Sequence, residues 1–322
     1  MYTWFRLLKI NHSLLPLSSL ISFTLPFFSE KPATELIKER FNAAKELSSD
    51  LNFKDAEDSF HDLIHFASKK FEQNKLDEKQ LVEIKCRIFV ELGNLYMLKG
   101  DYKRAQESFI YSMKSAIGVG IPQTDPMVLM ISLKLALIYE EIGQNNMARK
   151  GFQFIIDHFL DLDREIDENE QALLGMTYDY YAKHLFKVKE YKKSLAYAQK
   201  SQKYCHNVYS SQHENCLNLL LDIALIQFSM NEKENALLHL EDFFRILDKL
   251  DRIERDKLSL VEYSALLQLA KLEISQKKYE KAIKSLQRVD FLNIKENNFN
   301  LDQIKELRLI QRKLAYEINK NL

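Results

Sequence analysis

The sequence predicts an all-α fold built from repeated helix pairs, on three observations. Glycine and proline are scarce, at 7 and 5 of 322 residues, against usual shares of roughly 7% and 5%. Small and aromatic residues recur in a fixed order at intervals of 42 to 49 residues. Apolar residues also recur at helical spacing, with charged residues between them. Each pair of helices would expose an apolar face that only a neighbouring pair can cover, so the pairs must stack.

The positions of glycine and proline exclude several other folds. The last proline is Pro126 and the last glycine is Gly175. Tight β-hairpins and phosphate-binding loops depend on glycine at positive φ. We therefore expect no β-sandwich, P-loop enzyme or Rossmann enzyme beyond residue 175. Because 46% of the residues are hydrophobic, collagen and low-complexity disorder are excluded as well.

The charge balance limits the possible partners, and the cysteine content indicates the redox compartment. Lys and Arg number 46, as do Asp and Glu, so there is no basic field to attract nucleic acid, and no nucleic-acid partner is expected. The three cysteines, Cys86, Cys205 and Cys216, show no scaffold spacing. We expect no disulfide framework, and by default a reducing compartment.

Residues 1–30 look like a targeting segment. Between Met1 and Ser29 there are two basic residues, Arg6 and Lys9, and no acidic residue. An acid-free, Ser-bearing start is typical of a mitochondrial transit peptide. The stretch Leu14 to Phe28 is also apolar enough to suggest a secretory signal, although it is shorter than the ~20 residues of a membrane span. A retained, flexible arm is the third possibility.

The segment LGNLYMLKGDYKRAQESF, from Leu92 to Phe109, shows the repeat most clearly. Gly93 and Ala105 would let two helices approach closely, and the aromatic residues would fill the space between them. Gly100 would end the first helix in the left-handed conformation. This spacing is that of the tetratricopeptide repeat, a stacked helix pair.

The same frame recurs along the chain and gives about six helix pairs. The predicted repeats begin near residues 37, 86, 129, 175, 217 and 263, within a solenoid covering residues 37–322. The segment from Leu301 to Ile318 carries apolar residues at helical spacing. It is interpreted as a capping helix over residues 300–319 that seals the last repeat.

Three patterns suggest chemistry but have plainer explanations. His61 and His65 would share one helix face, as zinc ligands do, yet Asp62 stands where a metalloprotease needs Glu. The run CHNVYSSQHENC, from Cys205 to Cys216, matches no common zinc spacing. The sequence Gly118-Val119-Gly120 lacks the third glycine of a nucleotide-binding loop and is interpreted as the end of a helix. No catalytic set can be assembled, so we predict no enzyme, no metal and no cofactor.

The remaining candidate is the groove of the solenoid, which the first helix of each pair lines. The residues expected to face a partner there are Asn94, Lys134, Leu137, Asp179, Tyr180, Lys183, Asp222 and Leu225. One use of such grooves, clamping the C-terminal carboxylate of a chaperone, needs a particular Lys/Asn/Arg set. Val90 and Lys134 stand where Lys and Asn would be required, so a co-chaperone is not expected.

Two blocks carry a more specific resemblance. They are MKSAIGVGIPQTDPMVLMISLKLALIYEEIGQ, from Met113 to Gln144, and LLGMTYDYYAKHLF, from Leu173 to Phe186. Both resemble the mitochondrial tetratricopeptide repeat protein 19 family. The resemblance implies a non-catalytic helical-repeat protein, peripherally associated with the mitochondrial inner membrane. Its expected partners are subunits of respiratory complex III, the cytochrome bc1 complex, including the Rieske iron–sulfur protein.

By this resemblance the protein would support the assembly and maintenance of complex III, including clearance of N-terminal Rieske fragments. Repeats five and six diverge from the family pattern, so the fold carries over more readily than the partner surface. The alternative is a generic cytosolic tetratricopeptide adaptor that binds an unrelated peptide.

Overall fold

The structure is a computed structural model that describes residues 32–50, 52–290, 292 and 301–320. The predicted targeting segment, residues 1–30, lies outside this range. Every regular element in the described part of the chain is a helix, and no strand occurs there. The all-α prediction is therefore confirmed.

Fourteen helices make up the described residues. The first six are α1 (Pro32–Ser49), α2 (Phe53–Glu72), α3 (Glu78–Lys99), α4 (Tyr102–Gly118), α5 (Pro126–Glu141) and α6 (Asn145–Leu160). The next six are α7 (Glu168–Lys187), α8 (Tyr191–Val208), α9 (Glu214–Ser229), α10 (Lys233–Leu247), α11 (Arg252–Lys257) and α12 (Ser259–Ser275). The last two are α13 (Tyr279–Asp290) and α14 (Leu301–Lys320).

The chain forms two compact units that divide between Ile166 and Asp167. The first unit contains the helix pairs α1/α2, α3/α4 and α5/α6. The second contains α7/α8, α9/α10 and α12/α13, together with the short helix α11 and the terminal helix α14. Within each unit successive pairs also contact each other, as α2 contacts α3 and α9 contacts α12. This is the stacking that the sequence pattern predicts.

The small residues of the repeat frame are all buried, because they lie where the two helices of a pair cross. In the first helices they are Ala44, Gly93, Ala136, Ala182, Ala224 and Ala270. In the second helices they are Ala56, Ala105, Ala148, Ser194, Ala236 and Ala282. The approach is closest in α3/α4, where a Cβ added to Gly93 would lie 2.7 Å from Cζ of Phe109. A tetratricopeptide-type helical solenoid is therefore the observed fold.

The turns between the two helices of a pair contain a left-handed residue, which is not a glycine in the second unit. Gly100 and Gly143 occupy the left-handed region, at φ of 75° and 78°, directly after the first helices α3 and α5. The equivalent residues of the later pairs are Lys189, Asn231 and Lys277, at φ of 65°, 65° and 60°. The same turn is kept there at a conformational cost that glycine avoids. The predicted helix stop near Val119 is also confirmed, since α4 ends at Gly118.

The terminal helix α14 packs on the last helix pair. Ile310 and Leu314 are buried in a cluster with Leu266 and Leu286. The short helix α11 has no counterpart in the repeat pattern. Its Arg255 contacts the buried carboxylate of Glu262 with Nη2 at 2.6 Å from Oε1.

A disulfide joins Cys205 to Cys216, a single bond where the sequence analysis expects no disulfide framework. The two residues are 11 apart in sequence, with their Cα atoms separated by 5.9 Å. Cys205 lies near the end of α8 and Cys216 near the start of α9. These antiparallel neighbours bring the cysteines together although their spacing matches no scaffold. Cys86 is a free, buried thiol.

None of the described helices is both long enough and apolar enough to cross a membrane.

Candidate functional site

The predicted groove residues all lie on first helices of the pairs, in both units. The first unit carries three, on α3 and α5, and the second carries five, on α7 and α9. Those of the second unit come together: Asp179, Lys183 and Asp222 form one charged cluster, here called the ion triad. Lys183 Nζ lies 2.6 Å from Asp179 Oδ2 and 3.2 Å from Asp222 Oδ2. The sequence frame places these three side chains on the same face, and the structure brings them into contact.

The ion triad is largely shielded from solvent and carries one excess negative charge. The side chains of Lys183, Asp179 and Asp222 are 12%, 15% and 8% exposed. Burial raises the pKa of Asp222 to about 6, despite the attraction of Lys183. Burial opposes the charge on Lys183, but Asp179 and Asp222 together raise its pKa above the ordinary value. Two carboxylates therefore share a single ammonium group in a poorly solvated place.

Tyr180 lies beside the ion triad, with Lys183 Nζ 5.8 Å from the centre of its ring. Burial raises the pKa of the Tyr180 hydroxyl. Tyr180 and Asp179 also border a small cavity of about 70 Å³, which reaches the disulfide at Cys205.

Leu225, the fifth predicted residue of this unit, borders a much larger cavity of about 480 Å³. The walls of this large cavity come from α7, α8, α9, α10, α12 and α14. Most of the wall is apolar and includes Phe228 on α9 and Leu309 on α14. This space is open to solvent, since Leu309 is 67% exposed, so it is a surface pocket of the kind that holds ligands.

Three polar side chains at the large cavity were not found by sequence reasoning. Lys271 on α12 makes an ion pair with Glu306 on α14, and burial lowers the pKa of Lys271 and raises that of Glu306. Gln268 is only 6% exposed, and its Nε2 has no hydrogen-bond partner among the residues that the structure describes. The repeat frame places Gln268 and Lys271 on the first helix α12. Their partner helix α14 is not a repeat, so its register was not available from the pattern.

Two of the three predicted residues of the first unit, Asn94 and Lys134, interact with Glu91, which the sequence analysis missed. Asn94 Nδ2 donates to Glu91 Oε2 at 2.9 Å, and Lys45 Nζ lies 3.2 Å from Glu91 Oε1. Lys134 is 7% exposed. Burial lowers its pKa to about 8, although Glu91 acts in the opposite direction. Leu137 is half-buried on α5.

The two candidate metal patterns of the sequence are the His61/His65 pair and the run from Cys205 to Cys216. His61 and His65 are both exposed on α2, and Cys205 and Cys216 are bonded to each other. No group of three or more potential ligands among His, Cys, Asp and Glu occurs in the described part of the chain. The arrangement as a whole offers buried charges and an apolar cavity, which are features of a binding surface.

Comparisons with known proteins agree with this fold. Two family models described as tetratricopeptide repeat match residues 87–110 and 264–289. Among solved structures, BtubC (BKLC) from P. vanneervenii superposes with a TM-score of 0.56 at 16% identity, over 78% of this chain and 94% of that one. The apo form of RapI gives a TM-score of 0.56 at 12% identity, over 88% and 99% of the two chains. At this identity they establish the fold alone.

Curated relatives carry the more specific likeness. The mitochondrial tetratricopeptide repeat protein 19 of Rattus norvegicus is 25% identical over 227 residues, or 67% of this chain and 60% of that protein. The Homo sapiens protein is 23% identical over 228 residues, or 67% and 58% of the two chains. The match therefore spans about three fifths of the length of these relatives. The chain therefore contains tetratricopeptide repeats and is similar to mitochondrial tetratricopeptide repeat protein 19 over about two thirds of its length.

Proposed function

We propose that this protein is a non-catalytic, protein-binding scaffold that supports the assembly and maintenance of mitochondrial respiratory complex III. Its work includes the turnover of N-terminal fragments of the Rieske subunit. It acts in the mitochondrion, peripherally associated with the inner membrane. The observation that carries this proposal is the similarity to curated mitochondrial relatives over two thirds of the chain.

The geometry of the second unit supports a binding role. Tetratricopeptide repeats present an extended surface lined by first helices. Here the ion triad lies on the first helices α7 and α9. The large cavity is lined by first helices together with α8, α10 and α14. A large apolar pocket with a few polar groups is the usual form of a binding site, and a buried excess charge costs stability unless it is compensated. Both features fit a surface that awaits a partner.

Native gel electrophoresis tests the proposal. Mitochondria from cells expressing the C-terminally tagged protein are solubilised in a mild detergent, and the gel is probed for the tag and for complex III. We expect the tag to comigrate with complex III. Cells lacking the protein should accumulate N-terminal Rieske fragments, and the tagged protein should restore their clearance.

Two results would contradict the proposal. The first is a tag confined to the cytosol, which would favour a cytosolic adaptor. The second is a mitochondrial tag that never meets complex III, with normal fragment levels in cells lacking the protein. Extraction with alkaline carbonate tests the peripheral association separately, because a peripheral protein is released and an integral one stays with the membrane.

A further inference from the structure

The large cavity and the ion triad lie next to each other on one face of α9. Asp222 belongs to the ion triad and Leu225 borders the large cavity. Residues three apart on a helix are neighbours, with their Cβ atoms roughly 5–6 Å apart. The second unit therefore presents a charged site and an apolar site within reach of one short ligand.

The ion triad has unused capacity for a cation. Asp179 and Asp222 each have about four lone-pair positions, but Lys183 supplies only three N–H donors between them. Asp222 Oδ2 is buried and makes no well-aligned hydrogen bond, although it lies 3.2 Å from Lys183 Nζ. A second ammonium or guanidinium group would neutralise the excess charge. An anionic ligand would increase it.

The large cavity has the size and lining for an apolar side chain. Its volume of about 480 Å³ exceeds that of any single side chain, and Leu225, Phe228 and Leu309 provide apolar walls. Leu309 is 67% exposed, so the apolar lining continues to the surface. Within the described part of the chain the buried Nε2 of Gln268 has no acceptor, and an unsatisfied buried donor is destabilising. A backbone carbonyl of a ligand would satisfy it.

We propose that the second unit binds an extended protein segment in which a Lys or Arg and a large apolar residue are separated by one residue. The basic side chain binds at the ion triad, the apolar side chain enters the large cavity, and a backbone carbonyl accepts a hydrogen bond from Gln268. In an extended segment, side chains two residues apart point to the same side, about 6.6 Å from each other. That separation suits the distance between Asp222 and Leu225.

This inference rests on the proposed function and names a ligand class for it. N-terminal segments of imported mitochondrial proteins are basic, poor in acids and interspersed with apolar residues. Fragments released from the start of such a protein therefore carry the chemistry that the site selects.

The test uses the full chain and short fluorescein-labelled peptides in anisotropy titrations. The probe peptide contains Lys-Ala-Leu within a Gly/Ser/Ala background, and its matched forms contain Glu-Ala-Leu or Lys-Ala-Ser. A charge-assisted hydrogen bond is worth about 1.5–3 kcal/mol, so the Lys-Ala-Leu peptide should bind about tenfold or more tightly than either matched form. Equal affinities for the three peptides would overturn the proposal, as would no binding of Lys-Ala-Leu at all.

Protein variants locate the site. Asp222→Asn should weaken binding of the Lys-Ala-Leu peptide about tenfold. It should not weaken binding of the Glu-Ala-Leu peptide, because the lost carboxylate repels the Glu side chain. The matched control is Asp242→Asn, which removes an exposed carboxylate on α10 and should change neither. Leu309→Ser, at an exposed position, should weaken Lys-Ala-Leu but not Lys-Ala-Ser. If Asp222→Asn and Asp242→Asn behave alike, the basic residue does not bind at the ion triad.

The peptide titrations and the native gel can refute the ligand class and the proposed function separately. Comigration with complex III without selective peptide binding would refute this ligand class and leave the scaffold function standing. Selective binding without comigration would leave the site standing and refute the function.

Discussion

The substitution Gly93→Ala offers a direct test of how the helix pairs cross. Gly93 lies on α3 against the ring of Phe109 on α4. An added Cβ would lie 2.7, 2.8 and 2.9 Å from three atoms of that ring. Phe109 is fully buried, so the ring has little room to withdraw. We expect the two helices to be pushed apart.

The magnitude follows from the overlap. Carbon atoms normally approach to about 3.5–4.0 Å, so three contacts are each too short by several tenths of an ångström or more. Overpacking of this kind typically costs about 1–3 kcal/mol. Replacing glycine by alanine in a helix also contributes up to about 1 kcal/mol of stability, which offsets part of the loss. The matched control is Gly118→Ala, because Gly118 ends the adjacent helix α4 and nothing lies within 4 Å of its added Cβ.

The assay is urea denaturation of both variants and of the unchanged protein, followed by circular dichroism. Gly118→Ala should leave the free energy of unfolding unchanged or slightly higher. Gly93→Ala should be less stable than Gly118→Ala by about 1–3 kcal/mol. If the two variants are equally stable, the close crossing at Gly93 is not present and the assigned repeat frame is wrong there.

Three further predictions concern charge, turn geometry and the disulfide. Lys134→Met should stabilise the protein by about 3 kcal/mol below pH 8. This gain should vanish by pH 10.5, because the pKa of Lys134 is about 8 in the folded state and 10.5 in the unfolded chain. The unchanged protein therefore becomes more stable between these two pH values. A gain that is independent of pH in a series of denaturation experiments would contradict this prediction. Lys189→Gly removes the strain of a side chain at a left-handed position and should raise the free energy of unfolding by up to about 1 kcal/mol. Lys193→Gly within α8 should lower it by about as much. A lower melting temperature in both variants would refute the turn assignment. Replacing Cys205 and Cys216 by Ser should cost about 3 kcal/mol in oxidising buffer, and dithiothreitol should destabilise the native protein but not this variant; equal sensitivity of both would exclude the bond.

Much of the fold could be predicted from the sequence because crossing helices require small residues at fixed positions. Gly93 and Ala136 are such residues, and their burial follows from the frame. The frame also directs side chains, and it therefore predicts that Asp179, Lys183 and Asp222 share a face. Local spacing is enough for such inferences, since both periodicity and register repeat along the chain.

Features that depend on non-repeating parts were not predictable. The ion pair between Lys271 and Glu306 joins a repeat helix to the terminal helix α14, whose register no repeat fixes. The disulfide between Cys205 and Cys216 depends on how α8 meets α9, because its cysteine spacing is not diagnostic. Glu91 was missed for another reason: only the contacts with Asn94 and Lys45 distinguish it from an ordinary surface acid.

Site-specific photocrosslinking tests the central claim, that the groove face of the second unit contacts complex III, most directly. A photoreactive amino acid is placed at Leu309, which is exposed at the large cavity, and separately at Lys203, which is exposed on the second helix α8. The proteins are expressed in cells and irradiated in intact mitochondria. We expect crosslinks from position 309 to subunits or fragments of the cytochrome bc1 complex, and none from position 203. Crosslinks from position 203 alone, or none to that complex from either position, would contradict the account.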